Sequence, residues 1–332
     1  MYKLSLVQEE YKVLNVMKFV MAIVVVAIHT RPEMSINSSV VRQIFGAIYS
    51  LAVPFFFMAS GFLLFRKISL PLKEEGEQRI KSYLARICRL YLVWTIIYLP
   101  LTIYGFYIDG LSPVKAGVVF LRNILLVGEN YMSWPLWYLL ALIVSVGIIY
   151  GLLKLTVSKN LIVVCGICMA LIGVGLDYCR ESAFLQPVTD LYFSLFLSTR
   201  NGFFVGFLFV ALGMWCANCE RLPLWLTLML FFVGVVGIIF SIPLSYALVT
   251  SAIFILSTSL KLNTVKSAYS SRLRGMSAVV YFIHMFVLSA LVLFVNYEYG
   301  ALLCFVVVAL SLLLSLMLIK YNSNKLFRFL FA

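Results

Sequence analysis

The sequence predicts an all-α polytopic membrane protein with about ten transmembrane helices and both termini on the cytoplasmic side. Three observations predict it. First, 63% of the 332 residues are hydrophobic and only 12% charged, with a mean hydropathy of +1.04. Soluble domains run nearer ~45–50% apolar and ~25% charged, which excludes both a soluble globular protein and a disordered one. Second, apolar runs of about 20 residues, the length that crosses a bilayer, recur from end to end. Third, Lys and Arg are distributed unevenly between alternate loops, as the positive-inside rule requires.

The candidate spans are 14–31, 44–65, 88–107, 134–153, 160–176, 201–218, 223–241, 243–260, 278–296 and 299–319. The first follows a polar stretch and lacks a small-residue cleavage site, so it reads as a retained span. The apolar stretch 112–128 is interrupted by Lys115, Arg122 and Asn123 and reads as interfacial or re-entrant. With the N-terminus inside, 20 of the 26 basic residues fall on the inner side, whereas acidic residues divide six to seven. Counting 112–128 as a span would invert every later loop and destroy that bias. The net charge of +13 is thereby explained by topology, and no nucleic-acid partner is expected. The partner is the lipid bilayer, and residues 1–332 read as a single integral membrane domain. Seven scattered cysteines and only two histidines give no metal-ligand pattern, so no metal is expected.

Ionisable residues inside spans are costly and point to function. Lys18 and His29 share the first span, separated by ten residues. Eleven steps of 100° bring both to one helical face, ~16 Å apart along the axis. His284 lies in Val280-Tyr281-Phe282-Ile283-His284, inside the ninth span. Arg86 and Arg89 stand one turn apart at the inner end of the third, a pair suited to phosphate. Arg200-Asn201 opens the sixth span from outside, and Trp134-Pro135-Leu136-Trp137-Tyr138 opens the fourth at the same level. Those rings serve equally as an aromatic belt or as a sugar-stacking platform.

Together these motifs resemble the acyltransferase-3 family of integral membrane O-acyltransferases. The matching pieces, in the family's order, are Lys18 to His29, the Phe-rich Phe55 to Phe62 with its Ser60-Gly61-Phe62, Arg86 with Arg89, Trp137-Tyr138-Leu139, and Tyr281 to His284. One departure is Lys18, where the family usually carries Arg, with its bidentate fork. Residues 198–204 and 27–30 also resemble the membrane domain of glycopeptide-resistance serine racemases.

The resemblance implies a membrane-bound enzyme that moves an acyl group, acetyl in the first instance, from acyl-CoA to a hydroxyl of a cell-envelope glycan or its lipid-linked precursor. A bacterial cytoplasmic membrane is the expected location. In this reading Lys18, Arg86 and Arg89 bind the donor, with Lys81 and the basic loop 261–275 beside them. His29 is the general base, an imidazole being able to take a hydroxyl proton near neutral pH. Glu33, four residues on, would orient it if the helix continued past Pro32. His284 is a second acid–base candidate. Ser60, Trp137, Tyr138, Arg200 and Asn201 are the candidate substrate contacts. The alternative is a permease-like domain for a small polar metabolite such as serine. No Asp or Glu falls within the ten spans, whereas proton-coupled transporters use acidic relays.

Overall fold

The computed structural model describes residues 11–182, 184–219, 222–260, 267–295, 298–321 and 324–331. Lys3, Arg221, Lys261 and Lys266 lie outside these. The described residues are helical with no strand. In order the helices are α1 (Lys12–Thr30), α2 (Ser39–Phe65), α3 (Glu74–Ile108), α4 (Pro113–Arg122), α5 (Trp137–Lys154), α6 (Lys159–Tyr178) and α7 (Gln186–Phe196). They continue as α8 (Phe207–Ala217), α9 (Leu224–Ile239), α10 (Ser245–Ser259), α11 (Ser267–Phe294), α12 (Ala301–Leu318) and α13 (Lys325–Phe331). Each predicted span coincides with a helix. Seven are long and apolar enough to cross a membrane, and three are shorter apolar helices: 202–217, α9 and α10. The 16 residues of α9 reach only about 24 Å, less than a typical hydrocarbon core.

Local chemistry explains the ends. Ser38, Ser112 and Ser158 cap α2, α4 and α6 by accepting from Val41, Lys115 and Leu161 N–H groups. Helix α1 stops because Arg31 turns left-handed (φ 52°) before Pro32, its N–H closing on Ala27 O. Helix α3, at 35 residues and about 52 Å, outruns the bilayer. Its polar first turns are tied to α5 by Glu77, which accepts from Lys81 and, across to α5, from Tyr150 and Lys154. Helix α4 has only 10 residues and passes into a five-residue π-helical turn at 123–127, and 112–128 is not among the helices long and apolar enough to cross a membrane.

Between lipid-solvated helices there is no hydrophobic drive to associate, so close packing and hydrogen bonds hold the bundle. A Cβ on Gly61 of α2 would overlap the carbonyl of Val210, and one on Gly213 of α8 that of Met58. The two backbones therefore meet at reciprocal glycines. Asn15 Nδ2 donates to Ser270 Oγ (2.9 Å), joining α1 to α11. Tyr98 Oη donates to Phe282 O (2.8 Å) and Trp94 Nε1 to Leu330 O (2.6 Å), so large buried rings keep their polar ends satisfied. Helix α1 sits inside the bundle, against α2, α10, α11 and α12.

Candidate active site

The basic end of the bundle holds a cavity of about 1170 Å³, open on that side. Six cationic side chains line it: Lys18, Lys67, Arg79, Arg86, Arg274 and Arg328; among the described residues no Asp or Glu does. They come from α1, the α2–α3 turn, α3, α11 and α13, so the site exists only in the folded bundle. Like charges held this close with no acid among them form a field that attracts polyanions. Sequence reading found Lys18 and Arg86, and took in Arg274 as part of the basic loop 261–275. It missed Arg328, Arg79 and Lys67, which carry the ordinary positive-inside pattern and no local signature.

Arg89 does not join Arg86. Three helical steps turn 300°, leaving it 60° off Arg86's direction, and its guanidinium lies over the Phe329 ring of α13 (5.4 Å). The helix also begins twelve residues before Arg86, at Glu74, so the pair sits well inside α3.

The inner end of the cavity is closed by aromatic rings. Phe56, Tyr138 and Tyr281 line it and lie 5.9–6.4 Å apart, centroid to centroid. Tyr138 Oη donates to Phe56 O (3.2 Å) and bonds Ser60 Oγ (2.8 Å). Tyr281 Oη donates to Pro135 O. Ser60 thus belongs to this hydroxyl network.

One turn beyond Tyr281 stands His284, fully buried, its ring 5.5 Å from that of His29. Trp134 stacks on the other side of His29 at 5.7 Å and 26°. His284 Nδ1 lies 3.0 Å from Val280 O. A carbonyl only accepts, so Nδ1 carries the proton and Nε2 keeps its lone pair. That Nε2 is buried with no hydrogen-bond partner among the described residues. Neither histidine lines the cavity.

On the far side, Arg200 lies over the Trp137 ring (5.8 Å), and Trp137 meets Phe57 edge-on (5.9 Å). Glu129, which sequence reading passed over, sits in the loop before Trp134. Burial pushes its carboxyl above the usual range, against the pull of Arg200. Asn201 is consumed by its own loop. Its Oδ1 accepts from Phe203 and Phe204 N–H, and its Nδ2 donates to Tyr192 Oη (2.6 Å) and Ser198 O (3.2 Å). It shapes the π-helical turn 202–206, leaving little capacity for a ligand.

Glu33 departs from expectation. The left-handed turn at Arg31 ends the helical register that would have carried it back to His29. Its Oε2 instead accepts from Tyr49 Oη of α2 (2.6 Å).

The chain matches the acyltransferase-3 family model, described as an acyltransferase domain, over residues 11–320. It belongs to that family of membrane proteins. Among curated relatives, it is 31% identical over 238 residues to a serine/alanine racemase of Enterococcus gallinarum, covering 68% of this chain and 33% of that protein. It is 29% identical over 225 residues to an amino-acid racemase of Enterococcus faecalis, covering 66% and 31%. The chain thus spans about a third of the length of these relatives. No solved structure matches it.

Proposed function

We propose that the protein transfers an acyl group, acetyl in the first instance, from acyl-CoA to a hydroxyl of an envelope glycan or its lipid-linked precursor across the bacterial cytoplasmic membrane. The observation that carries this reading is a cavity lined by six cations and, among the described residues, no acid, ending one helical turn from buried His284, whose ring meets that of His29. The phosphates of CoA suit the inner cations, Lys18, Arg86 and Arg274 among them. The thioester then projects toward His29 and His284. The acceptor enters from the opposite side, past Arg200 and Trp137.

His29 takes the acceptor's hydroxyl proton as its oxygen attacks the thioester carbonyl. The tetrahedral intermediate collapses, the C–S bond breaks, and the proton returns to the CoA thiolate. His284, with its tautomer fixed and Nε2 unoccupied, is placed to accept a hydrogen bond from the acceptor hydroxyl or from His29. The products are an ester and free CoA. The experiment is transfer of labelled acetyl from acetyl-CoA to envelope glycan in membranes holding this chain, beside His29→Ala. Label with the parent and its loss in the variant is the expected result. Label in both would remove His29 from the chemistry.

A second reading, passage of a small polar metabolite such as serine, draws on the relatives' names. The aromatic closure between the cavity and the histidines weighs against an open path. Uptake of labelled serine by proteoliposomes without acyl transfer would establish that reading instead.

A further inference from the structure

We propose that Phe56, Tyr138 and Tyr281 form a size filter that selects short acyl groups, with Phe56 as its moving leaf. The inference rests on the acyltransferase reading above and specifies which donors it takes. A donor held by the cations has its acyl end leading toward the histidines. Every acyl chain must therefore pass the collar before it can react. The three rings are mutually close, 5.9 to 6.4 Å between centroids, which leaves no opening between them at rest.

The three are not held alike. Tyr281 is tethered to Pro135 O and Tyr138 to Phe56 O and Ser60. Each tether is a hydrogen bond made away from bulk water, and leaving its donor unpaired there is costly. Phe56 has no polar group. Its neighbours Phe55 and Phe57 are fully buried and locked, whereas Phe56 is half-buried and faces the cavity. Rotation of that one side chain opens the collar by the width of one ring. Such a gap admits a slender arm with a small acyl tip. Beyond it the His29 ring lies 5.5 Å from that of His284 and 5.7 Å from that of Trp134, so a longer chain meets crowded rings. A pocket that must hold extra methylenes without room discriminates steeply, roughly 10–200-fold per group.

The test compares acetyl-, butyryl- and octanoyl-CoA as donors to the same acceptor membranes, for the parent, Phe56→Ala and Phe56→Leu. The reading is the ratio of octanoyl to acetyl transfer within each preparation. That ratio is independent of how much protein folds, and Phe56→Leu keeps the test alive if the alanine variant does not accumulate. The parent should prefer acetyl, and Phe56→Ala should raise the octanoyl-to-acetyl ratio at least tenfold, with Phe56→Leu intermediate. An unchanged ratio with active variants overturns the filter and leaves the acyltransferase standing. A parent that already takes octanoyl as readily as acetyl also overturns it. No transfer from any donor by a folded parent overturns both.

Discussion

The two ends of the bundle solve opposite problems. The inner half is wide and its charged groups are all cations, with about 1170 Å³ of space and no carboxylate on its walls among the described residues. The outer half is aromatic, its histidines packed against Trp134 and each other, with a hollow of about 60 Å³ beside Trp137. In the proposed reaction the charged surface would hold the remote part of a donor, and the histidine end would hold the reacting atoms. Binding energy gathered far from the chemistry can then position the reacting carbonyl. The two halves should therefore fail differently when altered.

The largest losses belong to the outer half. His284→Ala is expected to lower kcat for acyl transfer about a hundredfold or more, as removal of an acid–base partner does. The double variant with His29→Ala should fall no further than the worse single variant, because residues that act as a unit are not additive. Independent, multiplying losses would separate the two imidazoles. Single-turnover rates in detergent or proteoliposomes measure both.

Next come the cations of the inner half. Arg274→Ala and Arg86→Ala should each raise the donor's KM about tenfold, the value of one charge-assisted hydrogen bond, with kcat held. The rise should shrink as salt screens the field. Arg89→Ala, whose guanidinium lies over Phe329 outside the cavity lining, should raise KM less. Equal effects for Arg86 and Arg89 would show that α13 moves to bring Arg89 into the site.

How far all this is legible in the sequence depends on range. Spans follow from hydropathy because the bilayer fixes their length. Boundaries slip where a helix continues into water, as α3 does for fourteen residues before its apolar edge, and α7 carries too little apolar pattern to announce itself. The histidine and basic motifs stand out because charge is rare in spans. The partnerships do not: Tyr281 with Pro135, Arg89 with Phe329 and Glu33 with Tyr49 join residues that no local pattern links. Asn201 misleads in the other direction, since a polar residue at a helix mouth looks the same whether it binds a ligand or caps its own turn. Asn201→Ala should therefore cost about 1 kcal/mol of stability, as lost caps do, seen as a lower Tm with the acceptor's KM unchanged.

The smallest expected effect is also the sharpest test of what lies beside His29. Glu33→Gln removes a charge but keeps an oxygen that can accept from Tyr49 Oη, so the contact between the loop after α1 and α2 survives. Transfer rates should stay within about threefold of the parent, since Glu33 is buried but the amide keeps the Tyr49 contact and the proposed chemistry does not use the carboxylate. Glu33→Ala strips Tyr49 of its partner and should cost about 1 kcal/mol in stability while leaving the pH profile in place. If instead Glu33→Gln lowered the rate tenfold and shifted its pH dependence, the carboxylate would be acting on the imidazole through space. The left-handed turn at Arg31 would then be a way of aiming the charge rather than of ending the helix.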